Sequence, residues 1–174
     1  MLEDRMKQDE TSEDVFFKYS ADCAYDLFSL KLISEEDYRN VQFHREKGTT
    51  PGRDYLQRIF PNAIRRIERL AKSLGRDVWD SYVIRKYFLE EHNNVIDNRE
   101  GLYEKATPQV IRLCKVRVGR IIEKGAIGKV TSYKVDYGDM IENVIGKYLP
   151  DANIGDKIST HWRFAVERVN GYEI

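Results

Sequence analysis

Few side chains in this sequence are equipped for metal, acid–base or nucleophilic chemistry. The histidines are His44, His92 and His161, and the cysteines are Cys23 and Cys114. None falls in a CxxC, HxxxH or HExxH spacing, so a closed structural zinc site is not expected. The sequence contains no GxGxxG after a strand, no GxxxxGK[ST] and no GxSxG, which leaves nucleotide-binding and α/β-hydrolase readings without local support. Adjacent carboxylates such as Glu35-Glu36 and Glu90-Glu91 lie in polar company at helix ends and read as solvated surface.

Cys23 lies in an apolar stripe at helical spacing, where a free thiol behaves as a small hydrophobe. Cys114 is flanked by Arg112, Lys115 and Arg117, and nearby cations favour the thiolate that attacks or binds soft metals. Strand parity also places Cys114 with Val116 and Val118 on one face, so a core role stays open. His161, in Ser159-Thr160-His161-Trp162-Arg163-Phe164, stands opposite an apolar set of Ile158, Trp162, Phe164 and Val166 and is expected to be exposed. The same parity sets Cys114 and His161 on opposite faces unless a bulge intervenes, at Gly119 or at Ile121-Ile122.

The elements that must carry these residues change in texture along the chain. Residues 1–12 are charged and aperiodic, a lead-in to a helix over Glu13 to Lys31 built on Phe16, Tyr19, Cys23, Leu27 and Leu30. Ser34 and the acidic residues after it cap a second helix, which the Gly48 to Gly52 loop closes. Pro61 starts a new helix burying Ile64, Ile67, Ala71 and Leu74, with Gly75 past its end. Asp77 caps a fourth, beyond which His92-Asn93-Asn94 reads as turn-like and Asn98 to Pro108 as irregular. Next come β-branched runs, over Val110 to Ile122, Lys129 to Val135, Met140 to Leu149 and Lys157 to Val169, punctuated by Gly125, Gly128, Gly138-Asp139, Pro150-Asp151 and Gly155-Asp156. That cadence predicts a small barrel or meander. The fold class is therefore α+β, a helical region over 1–107 followed by a barrel domain over 108–174.

Basic and acidic residues balance at 29 each in 174 residues, so no global field directs the chain to nucleic acid or an anionic membrane. No window is apolar enough for a membrane span, and Met1 to Glu13 is acidic instead of signal-like, which predicts a cytoplasmic protein with reduced thiols.

Leu113-Cys114, Val118-Gly119-Arg120-Ile121-Ile122-Glu123, Tyr148-Leu149-Pro150-Asp151 through Gly155-Asp156-Lys157, and His161-Trp162-Arg163-Phe164-Ala165-Val166-Glu167 together resemble the HypC/HupF hydrogenase maturation chaperones over about sixty residues. The family's cysteine follows its initiator Met, whereas Cys114 is internal, and small residues follow its histidine where this chain has Trp162 and Arg163. The resemblance implies an OB-like barrel and a non-enzymatic adaptor or metallochaperone-like role. It casts Cys114 and His161 as residues for an iron centre or for partner contact, with iron bound transiently and no resident cofactor. The whole chain resembles a prokaryotic family that repeats this pairing of a helical part with a barrel, with Phe60-Pro61, an acidic helix start near Asp77, and Cys-x-Val-Arg; that likeness names no activity. A protein partner is expected. A scaffold in which Cys114 is core and His161 surface is one alternative. Single-stranded nucleic-acid binding through Lys129, Tyr133, Lys134, Tyr137, Lys147 and Arg163 is another.

Overall fold

A computed structural model describes residues 10–169, and most of the lead-in at 1–12 lies outside them. The chain divides into two compact units, Met1–Arg85 and Lys86–Ile174.

The first unit is helical. Its opening helix, α1 (Ser12–Ser20), starts at a capping box: the Thr11 hydroxyl accepts from the Asp14 N–H, and the Asp14 carboxylate accepts from the Thr11 N–H at 2.9 Å. The single helix expected to run to Lys31 is instead interrupted by a 3-10 turn at Ala21–Cys23 before α2 (Ala24–Ser29). Just ahead of the break the Ser20 hydroxyl donates to the Phe16 carbonyl at 2.9 Å, a back-bond that bends helices. The tighter turn throws the apolar stripe out of phase. Phe16 and Tyr19 are buried as expected, but Cys23 is only half-buried and Leu30 is exposed.

Helix α3 (Glu35–Lys47) begins at Ser34, whose hydroxyl accepts from the Asp37 N–H, and ends at Gly48 with φ 66°. Helix α4 (Arg53–Ile59) gives way at Pro61 to α5 (Pro61–Leu74), which buries Ile64, Ile67 and Ala71 and ends at Gly75. The core gathers on Phe16, whose ring meets those of Phe60 and Trp79 edge-on at 5.9 and 5.6 Å. Asp77 caps only a turn; α6 (Ser81–Lys86) starts four residues later, where the Asp80 carboxylate accepts from the Tyr82 N–H.

The second unit opens with a π-helical turn, Tyr87–Glu91, followed by α7 (His92–Asp97) and α8 (Pro108–Cys114). Five strands complete it: β1 (Arg117–Ile127), β2 (Val130–Asp136), β3 (Ile141–Ile145), β4 (Lys157–His161) and β5 (Phe164–Arg168). They close into a barrel in the order β1-β2-β3-β5-β4. Neighbours pair antiparallel except β3 and β5, which meet in parallel at Ile145 and Phe164.

Two sequence expectations are corrected in this unit. His92-Asn93-Asn94 is helical, and the stretch from Val110 to Cys114 is the end of α8 instead of the start of a strand. Thr107 and Pro108 explain the second: the Thr107 hydroxyl accepts from the Val110 N–H, and proline suits the first helical position. A bulge does intervene, at Ile121-Ile122 instead of Gly119: Ile121 pairs with Val135 and Glu123 with Lys134, leaving Ile122 as the extra residue. Inside the barrel, Ile121, Tyr133, Val135, Val144, Leu149, Ala152, Ile158 and Ala165 form the core. Tyr133 also ties the long β3–β4 connection down, its hydroxyl donating to the Leu149 carbonyl at 2.6 Å and accepting from the Ala152 N–H at 3.1 Å.

Candidate functional site

The π turn adds a residue to one helical turn and so re-aims the side chains beyond it, a device often found where a helix must present particular groups. Here it sets His92 and Asn93. The Asn93 side chain imitates a strand: its amide donates to the Val116 carbonyl at 2.8 Å, and its oxygen accepts from the Val116 N–H at 2.9 Å. This clamp joins α7 to the lead of β1. His92, 5% exposed, stands among Tyr87, Phe88 and Tyr103. Its ring meets that of His161 at 5.5 Å and 88°.

His161, expected at the surface, is 1% exposed. Parity fails on β4 because both faces of the strand are covered: Ile158, Ser159, Thr160 and His161 are buried without a break. One side of the strand faces the barrel core, and His92 packs against its last residue. Cys114 is equally buried, at the last position of α8. The Leu113 carbonyl accepts from the Trp162 N–H at 3.0 Å, so the residue before Cys114 is bonded to the residue after His161. The cations around Cys114 are engaged elsewhere: Arg112 pairs with Glu142 at 2.9 Å, Lys115 with Asp97, and Arg117 with Asp139. The electrostatic argument for a reactive thiolate loses its main support.

Thiolate and imidazole suit iron as donors. Both side chains are enclosed, however, and among the described residues no three His, Cys, Asp or Glu side chains are grouped to hold a metal ion. This arrangement does not fit a resident metal centre.

The accessible feature above the two residues is the β4–β5 hairpin tip. A two-residue loop joins His161 to its partner Phe164, and both loop residues have positive φ, 49° at Trp162 and 64° at Arg163. That is a type I′ turn, which normally takes Asn-Gly because side chains with a Cβ resist the left-handed region. The β1–β2 hairpin shows the ordinary solution, with Gly128 at φ 61° between Ile127 and Val130. Holding a tryptophan and an arginine in such a turn costs backbone strain. Arg163→Gly is accordingly expected to stabilise the barrel by about 1 kcal/mol, read as a higher urea midpoint for the second unit.

The tip borders a shallow cleft of about 260 Å³, counting its space open to solvent, with Arg112, Arg117, Tyr137, Glu142, Trp162 and Arg163 in its lining. Glu142 Oε1 receives Arg112 at 2.9 Å and Arg163 at 3.7 Å. The Arg117 guanidinium lies 4.3 Å from the Tyr137 ring centroid, and the Tyr137 hydroxyl is hydrogen-bonded to Thr160 at 2.7 Å. Burial pushes the Tyr137 pKa up, keeping it a neutral hydroxyl. The buried indole N–H of Trp162 has no acceptor among the described residues.

The tyrosines considered for base stacking are differently placed. Tyr133 is buried in the barrel and Tyr137 is covered by Arg117, so neither presents an open face. His92, Asn93 and Glu142 had no signal in spacing. Trp162-Arg163 carried none either, because Lys157 to Val169 reads as one β-branched run, which the structure corrects to two strands joined by a turn at these residues.

No protein-family model matches the chain, and no curated protein or solved structure matches it significantly.

Proposed function

We propose that this chain is a non-enzymatic adaptor that grips a protein partner through the Trp162–Arg163 tip, with Cys114 and His161 supporting the tip from within. The carrying observation is the pair of positive φ angles at Trp162 and Arg163. Tryptophan and arginine are among the side chains most enriched at binding hot spots, and here they occupy backbone positions that favour other residues. The closed strand order with a parallel β3–β5 seam supports an OB-like barrel. That architecture agrees with the resemblance to hydrogenase maturation chaperones. In this reading the buried His92–His161 contact and the Leu113–Trp162 bond position the tip, and iron chemistry is secondary.

The test compares tagged full-length protein with the double variant Trp162→Asn/Arg163→Gly, purified anaerobically from the source cells. The double variant is expected to fold at least as well as wild type, because relief of turn strain offsets lost indole packing. A protein retained by wild type and lost by the double variant is the expected result. An identical set of proteins retained by both overturns the reading. Iron recovered with wild type and lost in Cys114→Ala would return the two buried residues to the metal role.

A further inference from the structure

We infer that the cleft beside the tip takes the carboxylates of an acidic segment of the partner, a conclusion that rests on the adaptor reading and names the chemistry of its ligand. The charges around the cleft are unevenly matched. Two guanidiniums, Arg112 and Arg163, share one oxygen of a single carboxylate, that of Glu142, and only the Arg112 contact is short. Glu142 is sheltered, with its side chain 14% exposed, whereas Arg112 and Arg163 are 46% and 53% exposed. The internal carboxylate thus lies at the base of a fork whose donors open outward. Each guanidinium carries five N–H donors, so one shared oxygen leaves most of this capacity for an incoming anion. A single guanidinium recognises a planar carboxylate by two parallel hydrogen bonds.

Trp162 sharpens the assignment. It lines the same cleft, and its indole N–H, removed from solvent, has no acceptor among the described residues, a standing penalty that a ligand oxygen would relieve if binding turned the indole toward the cleft. The two exposed guanidiniums are the donors that meet an incoming oxygen acceptor first. The cleft is shallow and open to solvent, so a ligand would meet its guanidiniums from outside, as a side-chain carboxylate of an extended acidic peptide can. An aromatic stacking face, which a single-stranded nucleic acid would use, is missing from the buried Tyr133 and the covered Tyr137.

The geometry also predicts an unusual sign. Glu142 competes with the ligand for both arginines, so Glu142→Gln, which keeps the shape and removes the charge, is expected to tighten binding. Arg163→Gly is expected to weaken it while raising stability. A variant that merely damaged the fold would do neither. The experiment is fluorescence anisotropy of the full chain with a fluorescein-labelled hexaglutamate peptide at low ionic strength. An oligothymidylate of matching charge runs in parallel, and a urea titration is made of every variant. The expected pattern is peptide binding that weakens about tenfold in Arg163→Gly and tightens about threefold in Glu142→Gln, with loss at high salt. Absence of peptide binding, or equal binding by all three proteins, overturns the inference; so does Arg163-dependent binding of the oligonucleotide with none of the peptide. Each of these outcomes leaves the tip-dependent capture of a protein partner standing or falling by its own measurement.

Discussion

Gly119→Ala is expected to destabilise the barrel by about 3 kcal/mol. A methyl group built on Gly119 would lie 2.6 Å from a Val135 side-chain carbon, 2.7 Å from the Asp136 carbonyl oxygen and 2.7 Å from the Tyr137 ring. These distances are well inside van der Waals contact, and one of the three partners is backbone held in a strand ladder. The collision cannot be relieved by one flexible side chain. Gly119 pairs with Ile158 on β4, so any retreat of β1 is passed directly to the strand that ends in His161. The measurement is a urea titration followed through the amide signals of β2, which report the second unit alone. An alanine variant with an unchanged midpoint would mean that β1 can shift without disturbing β4.

The second large effect is at Asn93, where replacement by alanine is expected to cost about 2–3 kcal/mol. The lost side chain makes two hydrogen bonds to one residue, and the abandoned Val116 N–H and carbonyl belong to a residue 4% exposed. Asn93→Asp should recover little, since a carboxylate accepts from the N–H but faces the carbonyl oxygen with a second acceptor. Parallel titrations of the alanine and aspartate variants check both statements, and near-wild-type stability of the aspartate variant would contradict the bidentate clamp. Because Asn93 adjoins His92, its loss should also loosen the His92–His161 contact, visible as altered imidazole resonances of both rings.

Much of the helical punctuation was legible. Ser34, Gly48, Pro61 and Gly75 acted through local backbone preferences that operate within a few residues, and they mark real boundaries. The barrel's turns at Gly128, Gly138 and Gly155 were visible for the same reason, each having positive φ. The errors came where tertiary structure decides. Phase in the first helix depends on a 3-10 turn that no periodicity records. His161 was misplaced because alternation assumes one wet face, and β4 has none. Cys114 was assigned to a strand through its β-branched neighbours, although Thr107-Pro108 carried the helix-start chemistry that prevails there. The Asn93 clamp and the His92–His161 meeting join residues far apart in sequence by side-chain geometry, which spacing does not encode.

The seam at which β3 meets β5 is narrow: one registered pair, Ile145 with Phe164, alongside a bond from the Ile145 N–H to the Arg163 carbonyl at 2.8 Å. Were it to part, both strands would present unpaired backbone edges, the usual template for edge-to-edge aggregation. The Arg163 carbonyl covers the Ile145 amide regardless of the side chain that residue 163 carries, so the backbone of the tip itself helps to close the seam. A partner held at the tip, as proposed above, would hold this seam closed as well.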